Sequence, residues 1–195
     1  MGEPLAETWR TAFFHVLQSH DAAEPLREAA LSGRLASWTR HLTRVVVDTC
    51  AKLGWHAAAR GHLADVLPVG RNEYLALDTV AFVKPGAGRW PFPVAVFELE
   101  NSGSDDRVAY ALWKVLCVRA QLRVVFAYRE GPAEGAELAR LLAQSVVGSM
   151  PIEDRIQLLG ETFLLMGSRS EGETFPYGYF KAWTLDTNTG RFLRS

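Results

Sequence analysis

Apolar positions along this chain change their period partway through. From Leu5 to Leu17, and again through Leu35, Trp38, Leu42, Val45, Val46 and Thr49 to Leu53, they recur at three- and four-residue steps, which predicts two helices with one buried face each. Between them Asp21-Ala22-Ala23-Glu24 has the form of a capping box and opens a short helix that ends near Ser32-Gly33. Gly54 stops the longer helix. Beyond it the helical period disappears. Trp55 to Arg60, Tyr74 to Lys84 and Val94 to Glu100 read as strands, and Pro85-Gly86-Ala87-Gly88 breaks the second so that a hairpin-type connection leads to the third.

The period then alternates between the two states. After the turn Asn101-Ser102-Gly103-Ser104, Ser104 caps a helix over 105–120 whose stripe is Val108, Ala111, Leu112, Val115 and Leu116. Val124 to Tyr128 is a short apolar run of the kind covered on both faces. Gly131-Pro132 ends it, a helix spans 133–147, and strands are expected over 162–167 and 177–186. The order predicts an α/β protein with a mixed central sheet. Residues 1–195 form one expected domain: a helical N-terminal extension (1–34), a core (35–130), and a helix with a C-terminal β-hairpin (131–195).

Composition narrows the classes. At 195 residues, 48% apolar and 22% charged, the chain suits a single folded domain rather than a disordered one. The sequence has no 18-residue apolar run and no basic-then-apolar leader, so neither a membrane span nor secretion is expected. Cys50 and Cys117 are isolated, which disfavours a disulfide framework and a thiolate zinc site and makes a reducing cytoplasm the expected compartment. The histidines lack an HExxH spacing, and neither GxSxG nor a glycine-rich phosphate loop occurs. A net charge of -1 excludes holding nucleic acid by bulk electrostatics but leaves room for a local basic groove. Residues 34–71 carry six Lys/Arg against Asp48 and Asp65, and 107–129 carry five with no acid.

The acids concentrate between these stretches. In an extended strand Glu98 and Glu100 share a face, with Cβ atoms about 6–7 Å apart, where two charges repel by about 2–3 kcal/mol at an effective dielectric near 20. Their strand is otherwise apolar, and burying uncompensated carboxylates is costly. Asp78 sits in the neighbouring strand. Three oxygen-donor acids converging there want a hard cation, Mg²⁺ or Mn²⁺. The competing account is neutralisation by Arg71, Arg107, Arg123 or Arg129. A two-carboxylate glycosidase fits poorly, because Glu98 and Glu100 project from one strand.

A strand-borne Asp78, a hairpin, Glu98-Leu99-Glu100 ending an apolar strand, then a helix and a strand together resemble the PD-(D/E)XK nuclease superfamily over about residues 37–130. The resemblance implies a restriction-endonuclease-like αβββαβ core and a Mg²⁺- or Mn²⁺-dependent endonuclease hydrolysing phosphodiester bonds, in DNA. Asp78 would be the motif aspartate and Glu98 the (D/E), both holding the metal. Glu100 stands where the family usually has the lysine that positions and activates water; it would complete the metal shell or orient that water. Glu73 is an additional candidate, and Asp48 is the acid available on the preceding helix. Lys114, the lysine on the following helix, is a further additional candidate, although ten residues in it lies about 15 Å from the helix start, beyond easy reach of Glu98. A solvated lysine or a phosphate contact is expected for it. Arg71 and Arg107 are the candidate nucleic-acid contacts, and double-strand cleavage would call for a homodimer. The missing motif lysine favours the alternative of a catalytically inactive module binding nucleic acid or a protein. Phe175-Pro176-Tyr177-Gly178-Tyr179-Phe180 is expected to supply turn and core residues rather than a base-stacking surface.

Overall fold

The computed structural model describes residues 4–71, 73–83 and 90–195; the expected break at Pro85-Gly86-Ala87-Gly88 and the end of its strand at Lys84 lie outside them. Helices α1 (Leu5–Leu17), α2 (His20–Leu31) and α3 (Leu35–Lys52) precede β1 (Trp55–Ala59), β2 (Thr79–Val83) and β3 (Ala95–Leu99). Then come α4 (Asp105–Leu116), β4 (Leu122–Arg129), α5 (Pro132–Ser145), α6 (Ile152–Ile156), β5 (Glu161–Ser168), β6 (Phe180–Asp186) and β7 (Arg191–Arg194). All seven strands form one sheet in chain order. Neighbours β3–β4 and β4–β5 are parallel and the other pairs antiparallel, so the protein is α/β with a mixed sheet.

Strand alternation sends side chains to two apolar layers. Ala81, Ala95, Phe97, Val124, Phe126 and Phe163 face α1 and α3, which bring Trp9, Phe13, Trp38, Leu42 and Val46. Val80, Phe82, Val96, Val125 and Leu164 face α4 and α5, which bring Val108, Leu112, Val115, Leu138 and Leu142. Helices on both faces explain why β4 is an almost unbroken apolar run. Segment 175–180 joins the first layer as expected: Phe180 lies edge-on to Phe13, and Tyr179 and Phe180 tilt against Trp38. Its exposed member, Tyr177, stacks on Phe14.

Several boundaries differ from expectation. The Asp21–Glu24 box does not cap α2, which already begins at His20, with Ala23 N–H donating to Ser19 O. Ser104 takes the N-cap position of α4, but its hydroxyl makes no capping bond, and α4 ends at Leu116. β2 starts at Thr79, not Tyr74. Leu75 and Ala76 have φ of 58° and 53°, and Leu77 N–H closes onto Tyr74 O at 3.1 Å, which makes residues 74–77 a type I′ turn built without glycine. β7 has no counterpart in the apolar pattern. It follows a turn in which Asp186 accepts from Asn188 N–H and Thr189 O–H, and Gly190 takes a φ of +70°.

Two contacts tie distant segments to the start of β5. Glu161 Oε1 accepts from Leu5 N–H at 2.7 Å and Oε2 from Ala6 N–H at 3.1 Å, satisfying two of the free donors that open α1. Just before it, Gly160 has φ +79°, and a Cβ there would come within 2.3 Å of Gln121 O. Gly160→Ala is expected to cost about 2–4 kcal/mol, combining left-handed strain with a backbone clash. A fall in the urea midpoint at unchanged slope checks it.

Candidate functional site

Alternation in β3 turns Val96 and Glu98 toward α4. Across the antiparallel pair, Thr79 faces Phe97 and Val80 faces Val96. Carried one residue further, the register puts Asp78 opposite Glu98 on the same face. Like charges in that relation destabilise a sheet. Asp78 is held by Leu99 N–H, which donates to its Oδ2 at 2.7 Å. Glu98 is buried, at 6% exposure.

Lys114 supplies the compensating charge. Its Nζ lies 2.7 Å from Glu98 Oε1 and donates to Ala76 O at 2.9 Å. The first contact is close but poorly aligned, and Glu98 Oε1 has no well-directed hydrogen-bond donor. The I′ turn aims the Ala76 carbonyl at the ammonium. Burial is the main force on Glu98, pushing its carboxyl up to about 7; Lys114 opposes this and the Asp78 charge adds to it. Asp78 is raised as well, chiefly by burial, with Leu99 N–H and Lys114 opposing and Glu73 and Glu100 adding.

The expectation that Lys114 lies beyond easy reach of Glu98 is therefore overturned. Residues 100–104 carry the chain beyond the end of β3 before α4 turns back over the sheet. The third turn of the helix, rather than its first, then stands over Glu98. Helix rise sets the distance along the axis, and residues 100–104 set where that axis starts.

An open cleft of about 390 Å³ lies beside this cluster, lined by Glu98, Glu100, Asp106, Arg107, Tyr110 and Lys114. Glu100 is at its edge and accepts from Ser102 N–H at 2.8 Å, so one oxygen serves the turn. Among the described residues no three acidic, histidine or cysteine side chains gather as a ligand group. Glu73 and Arg71 line a different, largely apolar groove of about 540 Å³ with Tyr74, Phe82, Trp90 and Phe92. Asp48 is exposed on α3, on the other side of the sheet, 3.7 Å from Arg44.

Arginine neutralisation of the acids is not what the structure contains. Arg123 is buried and donates to the carbonyls of Val115, Val118 and Leu159. Arg129 pairs with Asp105. Among the described residues, no arginine pairs with Asp78, Glu98 or Glu100. The basic rim is accordingly thinner than the sequence count implies. Arg34 and Arg44 pair with Glu28 and Asp48 in the α2–α3 layer, while Arg107 stays exposed on the cleft.

Comparison with protein-family models, with curated proteins and with solved structures found no match. The fold and site define an α/β protein with a seven-stranded mixed sheet and a buried Glu98 paired with Lys114 beside a half-buried Asp78. No helix among the described residues is long and apolar enough to cross a membrane.

Proposed function

We propose that this chain is a Mg²⁺- or Mn²⁺-dependent endonuclease with a restriction-endonuclease-like core, acting on DNA. The observation that carries the reading is the Lys114 ammonium set against Glu98 beside Asp78. It supplies from α4 the positive group that the superfamily usually places where this chain has Glu100. The order α3-β1-β2-β3-α4-β4 supports the same reading.

The residues suit the cation. Mg²⁺ typically takes one or two carboxylates and fills its remaining positions with water and substrate phosphate, so a third acid is not required. Asp78 and Glu98 would hold it, the Glu98 carboxylate being shared between the cation and the Lys114 ammonium 2.7 Å from its Oε1. When bound, a divalent cation polarises a phosphate and acidifies water. The chain's own groups do the rest. Lys114 donates toward a phosphate oxygen or the attacking water, Glu100 accepts a proton at the cleft edge, and Arg107 meets the backbone. Cutting both strands of a duplex would use two copies.

A second reading, a catalytically silent module of the same fold, draws on one observation: the Lys114 ammonium pairs with Glu98 and donates to Ala76 O, so the protein itself supplies a compensating charge for the acid. Two measurements separate the readings. The parent is expected to nick supercoiled plasmid with Mg²⁺ and to bind Mn²⁺ saturably, while Asp78→Asn does neither. A chain that neither cuts nor binds the metal is the silent module.

A further inference from the structure

We propose that the cleft takes its substrate as a single strand, with one unpaired base stacked on the aromatic pair Tyr110–Trp113 of α4. The proposal rests on the nuclease reading above and names the strand state that it acts on, nicking of supercoiled plasmid then falling in the unpaired stretches that negative supercoiling opens. Tyr110 and Trp113 are three residues apart on the helix, with ring centroids 5.9 Å apart and planes 19° from parallel. They are 60% and 54% exposed, whereas the aromatics Trp9, Phe13, Phe97, Phe126 and Phe163 are fully buried. The buried stripe of α4 is Val108, Ala111, Leu112 and Val115, so packing on the sheet does not account for either ring.

Their place relative to the acid pair gives the rings a use. Tyr110 is itself a wall of the cleft that holds Glu98, Arg107 and Lys114. The Lys114 ammonium lies 5.6 Å from the Tyr110 ring centroid. A phosphate held by Lys114 and Arg107 would therefore bring its attached base to the Tyr110 face, with Trp113 continuing the stack outward. Bases in a duplex keep their π-faces against one another and show only edges, so an intact double helix cannot use these rings. An unpaired base can, whatever its identity, because every base has a π-face. Arg107 and Lys114 also supply the sparse positive charge that a short single-stranded contact needs, in a chain whose net charge is -1.

The test is binding of a fluorescein-labelled oligothymidylate and of a hairpin duplex, followed by anisotropy in EDTA so that cutting plays no part. The single strand is expected to bind more tightly than the duplex and to quench tryptophan fluorescence. Trp113→Ala and Tyr110→Ala should each weaken the single-strand complex about tenfold, and Trp113→Phe should retain most of the affinity. Equal or tighter duplex binding, or an unchanged affinity in Trp113→Ala, overturns the proposal. So does sedimentation in which Trp113→Ala converts a dimer into a monomer, since the rings would then be a self-association face. Cleavage with Mg²⁺ is scored separately. Stacking without cleavage leaves this proposal standing and removes the nuclease reading; cleavage with no effect of Trp113→Ala does the reverse.

Discussion

Glu98→Gln is expected, on the proposed nuclease reading, to abolish Mg²⁺-dependent nicking while making the metal-free protein more stable at alkaline pH. Both effects follow from where the carboxylate sits. Its folded-state affinity for a proton is raised to about 7, mainly by burial, so between its ordinary value and about 7 the native state holds a proton that the unfolded chain has lost. Stability from this group is therefore full at low pH and is lost as pH rises through that window. Glutamine removes the dependence. In EDTA, the stability of the variant relative to the parent should grow by about 1–3 kcal/mol between about pH 5 and about pH 8, a range that allows for partial solvent screening. Urea melts at the two pH values measure it. A difference that is flat with pH, or that runs the other way, would show that Glu98 is not held under strain by its burial.

Lys114→Met gives the opposite sign. The ammonium lowers Glu98, so its removal raises that group further and leaves two facing carboxylates without their partner. The variant should lose stability at about pH 8 and recover it on acidification, and any residual nicking should need a more alkaline buffer. Shifts of the same sign in Glu98→Gln and Lys114→Met would break the account of this pair.

Trp9→Ala is expected to cost about 3–5 kcal/mol, read as a fall in the denaturant midpoint. Trp9 is fully buried, stacks on Phe13 at 5.1 Å and 20°, and lies 5.3 Å from Phe97, with Phe126 and Phe163 at its edge. Phe97 immediately precedes Glu98 in β3 but points the other way, so the damage falls on the layer opposite the acid pair. Where enough protein remains folded, nicking per folded molecule should be little changed. A midpoint shift under about 1 kcal/mol would mean that α1 contributes little to the sheet's cover.

Much of this was legible from local pattern. The helical spacing of Leu35 to Leu53, the apolar run around Val124 and the acid-x-acid end of β3 correspond to α3, β4 and the site-bearing strand. What failed was whatever depended on how segments are offset in space. Tyr74 and Leu75 have strand propensity, yet they form a left-handed turn because the chain must bend there to enter β2 and to present the Ala76 carbonyl. For Lys114, helix rise gives distance along an axis and says nothing of where that axis starts. Arg123 and Arg129 look like surface charge in a list of residues, but three backbone carbonyls claim the first and Asp105 the second. No sequence signal marks a carbonyl that a lysine 38 residues away will use.

The Glu161 clasp on Leu5 and Ala6 joins positions 156 and 155 residues apart in the chain. During synthesis α1 emerges before β5, and its two amides and the Phe163 edge that meets Trp9 come together only once β5 has left the ribosome. Trp9 can meet Phe97 and Phe126 earlier, but its Phe163 edge and the amides of Leu5 and Ala6 wait for β5. Contacts of such long separation slow folding and leave an apolar helix open to mispairing or chaperone capture. Synthesis order and native order of closure are thus opposed at this corner, where α1 is made before β5 yet its first amides are secured only by it.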